Sequence, residues 1–239
     1  GMSTRMIGGM IMVHGDDDGL RCPPQVAPHQ IVIVPMLRDD EGDAAVMDYC
    51  QSLVADLRGQ SAFQERIRVL LDTRATKAAT KRWGWVKKGA PIIIEGGPRD
   101  VANGKLAVIK RTDLYKDDGK LNSQFPDRAE FVGQAAAMLE SIEAELYTAA
   151  RARLDASIRR DITDFDGLTA HYKGKDKYPG WVEVEWSAPS GEALDAIVEK
   201  LKTLQLTMRN TPRDSAPATG TCFFTGEQAT QRILIGRAY

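Results

Sequence analysis

The chain has 239 residues, 43% of them hydrophobic and 27% charged, the balance of a folded protein with room for one large or two ordinary domains. Its 32 lysines and arginines against 33 aspartates and glutamates leave a net charge of −1, so no overall positive field would draw in a polyanion, and a nucleic-acid role would have to come from a local basic face. Three cysteines, at 22, 50 and 222, lie far apart without any C-x-x-C and exclude a disulfide framework or a metal signature; this suits a reducing cytoplasm, and no stretch approaches the roughly 20 apolar residues of a membrane span or the pattern of a signal peptide.

In chain order, residues 3–12 form a small and apolar run of the kind that ends a buried helix, followed by His14-Gly15-Asp16-Asp17 and Cys22-Pro23-Pro24. Singly, Gly8-Gly9 and Pro23-Pro24 are ordinary breaker signals. Residues 31–36 then open with a continuous β-branched run suited to a strand buried on both faces. Residues 43–57 place Ala45, Val46, Tyr49, Leu53 and Val54 at helical spacing, with Gly59 as a stop. Further strands are predicted at 68–72, 92–95 and 105–111, with a basic helix over 76–88 ended by Gly89. This alternation predicts an α/β fold, a mixed β-sheet flanked by helices.

Pro126 opens a helical stretch to about residue 160, with Phe131, Ala135, Met138, Leu139, Ile142, Leu146, Ala149 and Leu154 on one stripe. Beyond it a smaller α+β domain is predicted: a half-buried strand at 181–186, an amphipathic helix at 191–204, short strands at 222–224 and 233–235, and a flexible loop at 211–220. The division expected is therefore 1–28, 29–125, 126–160 as connecting helix, and 161–239.

The clearest chemical signal past the N-terminus is the cluster Arg74, Lys77, Lys81, Arg82, Lys87 and Lys88, interleaved with Trp83 and Trp85. Such cations neutralise phosphates and an indole can stack on an unpaired base; the same pattern also fits a solvated helix face with one or two tryptophans in the core. His14, His29 and His171 are scattered, without a nucleophile motif or a second ligand at metal spacing, and read as structural. The triplet 16–18 could bind a cation but fits a loop cap better. No Walker or Rossmann glycine loop is present.

Taken together, the order and spacing of Ser3-Thr4-Arg5, Gly8-Gly9, His14-Gly15-Asp16-Asp17 and Cys22-Pro23-Pro24 resemble the junction, in prolyl-tRNA synthetases of the eukaryote/archaeal-like class II type, between the third catalytic signature motif and the anticodon-binding domain. Lys81-Arg82-Trp83-Gly84-Trp85-Val86-Lys87-Lys88-Gly89-Ala90-Pro91, followed by Glu95-Gly96-Gly97-Pro98-Arg99-Asp100, is similar to the segment by which that family grips the anticodon stem-loop. The resemblance implies that residues 1–28 are the end of a catalytic domain, with Arg5 contacting ATP. It also implies that Arg74, Lys81, Trp83, Trp85, Lys87, Lys88, Glu95, Arg99, Lys105 and Arg111 serve tRNA binding. Where several relatives carry base-reading Glu and Arg, this chain has Val86 and Ile93, so modest discrimination among anticodons is expected. The family's zinc cysteines correspond to Ser187, Glu192, Cys222 and Thr225, and no zinc is expected. The final Tyr239 resembles the family terminus.

The function so implied is the anticodon-binding and C-terminal region of an enzyme that ligates proline to tRNA with ATP and Mg, a cytoplasmic homodimer as the whole parent. The chain alone, lacking the first two motifs, is expected to be inactive. The competing expectations are a stand-alone RNA-binding or docking module derived from a synthetase, favoured by the lost readers and cysteines, and a purely structural dimerisation domain.

Overall fold

A computed structural model describes residues 3–38, 40–174, 179–211 and 217–237, which form two compact units divided between Ala150 and Arg151. The first unit begins with helix α1 (Arg5–His14) and a hairpin of two short strands, β1 (Gly15–Asp16) and β2 (Gly19–Leu20). None of the residues of α1 is buried, and Met6, Ile7, Ile11 and Met12 are exposed, so the apolar run that reads as a buried helix is helical but uncovered among the described residues.

Strand β3 (Ile31–Pro35) follows, then α2 (Asp43–Arg58), the hairpin β4 (Ser61–Ala62) and β5 (Glu65–Arg66), β6 (Val69–Leu71), α3 (Ala78–Lys88) and β7 (Ile92–Gly96). After these come α4 (Pro98–Asn103), β8 (Ala107–Lys110), β9 (Ser123–Gln124) and the long α5 (Arg128–Ala156). The main sheet has the order β6-β3-β7-β8-β9, with β6, β3 and β7 parallel and the last two strands antiparallel. Every residue of β3 is buried, as its β-branched run requires. Side chains alternate across a strand, and Ile31 and Ile33 meet Val46, Leu53 and Leu57 of α2 and Phe131, Leu139 and Ile142 of α5. Val32 and Val34 on the other face meet Val86 of α3, Ala90, Ile93 and Ile109. The helical crossovers from β3 to β6 and from β6 to β7 thus lie on opposite faces and lead to opposite sides of β3. Ligands of open α/β sheets gather at such a switch point, outside the carboxyl ends of the strands.

The segment before β3 is tied into this unit. Arg68 donates to the carbonyls of Pro24, Gln25 and Ala27, while Gln30 receives the Arg68 N–H and donates to the Pro24 carbonyl. The stripe on α5 ends at Leu146; Ala149 and Leu154, which its periodicity includes, are exposed. The helix stops at Ala156, and Ile158–Arg159 is a strand, β10, where the sequence pattern continues helical.

In the second unit β10 is joined by α6 (Phe165–Lys173), β11 (Trp181–Trp186), α7 (Glu192–Lys202), β12 (Leu206–Met208) and β13 (Gln231–Arg237), in a sheet ordered β10-β11-β13-β12. Val182, Val184 and Trp186 turn inward onto Leu168, Tyr172, Ile197 and Leu201, while Glu183 and Glu185 stay outside beside Arg232. The predicted strand at 222–224 is a turn instead: Cys222 accepts from the Gly226 N–H and its own N–H reaches the Glu227 carbonyl at 2.7 Å. The aromatic pair Phe223 and Phe224, which mimics a strand in sequence, packs edge to face at 4.9 Å on that turn. Residues 212–216 of the predicted loop and the terminal Tyr239 lie outside the described residues.

The hairpin β1–β2 sits against the end of α3, where Gly89 has φ +81° and an added Cβ would lie 2.6 Å from the Leu20 carbonyl oxygen. Gly104 ends α4 with φ +63° and open space around it. Gly104→Ala should therefore cost only the left-handed backbone penalty, about 1–2 kcal/mol, whereas Gly89→Ala should add a backbone clash and exceed about 3 kcal/mol. Urea denaturation reads both, and equal losses would mean that the hairpin does not press on the helix end.

Candidate nucleic-acid interface

Three elements converge at the carboxyl end of β6: the strand itself, the following loop and α3. Asp72, the residue after β6, is 3% exposed and its carboxylate is surrounded by donors. Arg74 contacts it at 2.9 Å through Nε and 2.5 Å through Nη2, and the Trp85 indole N–H donates to it at 2.7 Å. Lys81, itself buried, donates from Nζ to the Asp72 carbonyl at 3.1 Å. The hydrogen bonds from Arg74 hold the Asp72 carboxyl far below the usual carboxylate range; burial opposes this and the Trp85 indole adds to it. Lys88 stands over the Trp85 ring, 4.6 Å from its centroid, and Arg74 flanks the same ring at 5.8 Å.

One turn earlier on α3, Arg82 Nη1 donates to both oxygens of the buried Glu95, at 2.8 and 2.9 Å. The Arg82 guanidinium also lies 5.7 Å from the ring of Trp83, which is 41% exposed. Lys87 and Lys88 are exposed in the last turn, and the first turn of α3 carries no acidic residue. A cleft of about 450 Å³ opens beside the helix start, lined by Pro35, Leu37, Thr73, Arg74, Thr76 and Lys77.

The remaining residues named from sequence are placed differently. Arg99 is exposed on α4. Lys105 is exposed beside α2, its carbonyl accepting from Tyr49 Oη, on the face of the sheet away from α3. Arg111 is 2% exposed and faces inward: Nε donates to the Val86 carbonyl at 3.0 Å, Nη1 to Asp16 at 2.9 Å, and Nη2 makes a second bond to Asp16. That contact, more than any other, holds the Asp16 carboxyl below its ordinary range. The Asp16 to Asp18 triplet is thereby used for loop closure, with Asp16 also accepting the Asp18 N–H and Asp18 accepting from Tyr115 Oη. Arg5 lies exposed at the start of α1. Val86 and Ile93 are both core residues, 1% and 0% exposed. Asp72 and Asp16 are the site groups that sequence reasoning missed as partners; the one cue for Asp72 is a lone acid ending an otherwise apolar strand.

In the second unit, Ser187, Cys222 and Thr225 do come together. Ser187 Oγ and Thr225 Oγ1 are 3.2 Å apart. Burial pushes the Cys222 thiol up, but hydrogen bonds from Ser187, Thr225 and the backbone of Phe224 and Thr225 outweigh it and bring it to about 7. One thiol with two hydroxyls does not match the thiolate and imidazole donors of a structural zinc site, and among the described residues no group of three or more His, Cys, Asp or Glu could hold a metal. No helix among them is long and apolar enough to cross a membrane.

Residues 30–124, the sheet and helices that carry this basic face, match the family described as anticodon binding domain. The chain carries an anticodon-binding domain. Around that domain, all 239 residues align with proline–tRNA ligases: 64% identical to that of Sphingopyxis alaskensis, of which they cover 45%, and 63% identical to that of Sphingomonas elodea, of which they cover 47%. The chain thus spans somewhat under half the length of these relatives. Among solved structures, it is similar to a prolyl-tRNA synthetase of Cryptosporidium parvum complexed with halofuginone and AMPPNP, with TM-score 0.80, 26% identity and coverage of 99% of this chain and 45% of that one. It also shares the fold of the Giardia lamblia prolyl-tRNA synthetase in complex with prolyl-adenylate, with TM-score 0.79, 23% identity and coverage of 100% and 48%.

The donors around Asp72 favour its ionised form in the folded domain. Because the folded carboxyl titrates below its unfolded value of about 3.9, its contribution is complete above that pH and is lost as pH falls toward the folded value. Asp72→Asn should be less stable than the wild type at pH 7, and the gap should narrow between about pH 5 and pH 2. Urea melts at each pH test this, and a gap that stays constant through the acid range would contradict it.

Proposed function

We propose that the chain is the C-terminal part of a prolyl-tRNA synthetase and that the α3 face of its anticodon-binding domain holds the anticodon stem-loop of tRNA. The observation that carries this reading is the domain's basic face, where Lys87 and Lys88 are exposed in the last turn of α3, Trp83 is exposed on the same helix, and Arg74, paired with Asp72 but still more than half exposed, stands beside Trp85. Lys87 and Lys88, which make no ion pair among the described residues, suit phosphates, and a half-exposed indole suits an unpaired base. Arg99, exposed on α4, and Lys105, exposed beside α2, would supply contacts separate from those of α3. Lys81, Trp85, Glu95 and Arg111, buried or half-buried, act by holding α3 in place.

The whole enzyme would join proline to tRNA using ATP and Mg, as the proline–tRNA ligase relatives and the AMPPNP and prolyl-adenylate complexes of the structural neighbours support. Arg5 would meet ATP once the catalytic domain is present. The division at 1–28, 29–125, 126–160 and 161–239, a cytoplasmic location and a homodimeric parent complete the proposal. The burial of Val86 and Ile93 favours a second reading, a docking module that no longer reads bases. The 64% identity to a proline–tRNA ligase, which extends over α1, favours the enzyme.

The chain should bind an anticodon stem-loop weakly, with affinity falling as salt rises because each neutralised phosphate releases counterions. Lys87→Ala should weaken binding about equally for all anticodons. Trp83→Ala should cost about 1–3 kcal/mol of binding with little change in stability, while Trp85→Ala should lower stability itself. Absence of binding even at low salt would sink the assignment of this surface. The chain alone should support no proline-dependent ATP–pyrophosphate exchange, and exchange that Arg5→Ala abolishes would overturn that expectation.

A further inference from the structure

We propose that Arg82, positioned by Glu95, reads a guanine of the anticodon, an inference that rests on the RNA-binding reading of α3. A base reader needs donors or acceptors that the protein has not used and that solvent can reach. Positions 86 and 93 supply neither, because their apolar side chains close the core with Val32, Val34 and Ile109. Arg82 lies one helical turn before Val86 and Glu95 two residues beyond Ile93, so the two stand on the same seam between α3 and β7, one step nearer the carboxyl end of the sheet. A polar pair occupies the mouth of the seam that those apolar residues fill inside.

The pairing leaves the guanidinium partly unused. Nη1 is spent on both oxygens of Glu95 and Nε is buried out of reach of solvent, while Nη2 makes no hydrogen bond to a described residue and is the donor left for a ligand. The Arg82 side chain keeps 20% exposure against 8% for Glu95, so the arginine is the member that a ligand can touch. Trp83 is its neighbour in space as well as in sequence, and a base stacked on that exposed ring brings its edge toward the guanidinium. A donor such as Nη2 suits the O6 and N7 acceptors of guanine, whereas adenine presents an amino donor in place of O6, and the proline anticodons carry two adjacent guanines. Arg74, by contrast, already gives Nε and Nη2 to Asp72. Glu95 acts through Arg82: it fixes the plane of the guanidinium, and a lysine at 82 would keep the charge without the planar fork.

The test is binding of the 239-residue chain to the proline stem-loop and to one with both guanines replaced by adenine, for wild type, Arg82→Lys and Glu95→Gln, with a thermal melt of each protein. The wild type should prefer the guanine loop about tenfold or more. Arg82→Lys should bring that preference below about threefold while leaving affinity for the adenine loop within about twofold. Glu95→Gln should reduce the preference without altering the salt dependence. Should a single variant unfold, the pair Arg82→Gln with Glu95→Gln keeps a neutral hydrogen-bonded seam and should show the same collapse. A preference that persists in these variants, or a wild type that binds both loops equally, overturns the proposal while leaving the surface assignment standing. A wild type that binds neither loop at low salt instead overturns the RNA reading on which the proposal rests.

Discussion

A carboxylate taken out of water is costly unless donors replace the water on every side, and the basic face of this protein is arranged around one that meets the condition. Asp72 ends β6 almost fully buried, and its donors are the groups that would otherwise define the surface: Arg74 from the next loop, the indole of Trp85 from α3, and Lys81 through the neighbouring carbonyl. The same contacts that stabilise the acid fix the rotation of α3 about its axis. With Trp85 and Lys81 turned inward, Trp83, Lys87 and Lys88 are left on the outside. An apparently basic helix is thus divided into cations that hold the fold and cations that remain available.

The parts of the fold that carry a strong period were legible in the sequence. The β-branched run of β3 and most of the stripes of α2 and α5 appear where their spacing puts them, Ala45 of α2 being exposed, because burial on two faces or on one helical stripe demands that pattern. Elements held by backbone pairing alone were not legible: the two-residue strands of the β1–β2 and β4–β5 hairpins have no period to read, and α4 is a six-residue helix behind a Gly-Gly-Pro that signals only a turn. At 222–224 adjacent phenyl rings imitated a strand because turn packing and strand packing both reward aromatic residues.

For the candidate site, the identities of the cations could be read but their partnerships could not. Arg111 is an unremarkable basic residue until the fold brings it to Asp16, 95 positions away, and Glu95 is a surface-type residue until Arg82 covers it from the neighbouring helix. The segment singled out by the family resemblance lies within the family match over residues 30–124. What neither composition nor motif conveys is which charges are consumed internally, since that depends on pairings between residues far apart in the chain.

The contact of Arg111 with Asp16 has a consequence for what counts as a folding unit. A segment cut at 30–124 would match the family yet strand a buried guanidinium without its counter-ion, a loss of about 3–5 kcal/mol for a broken buried pair. The same cut would strip the inner face of the sheet of Phe131, Ala135, Leu139 and Ile142, exposing Ile31, Ile33, Ile92 and Ile94 to water. The family match therefore marks the sheet and its α2 and α3 covers, whereas the smallest piece able to stand alone must reach back to the hairpin and forward along α5. Homology sets one boundary and electrostatics with packing sets another, and in this protein the second encloses the first.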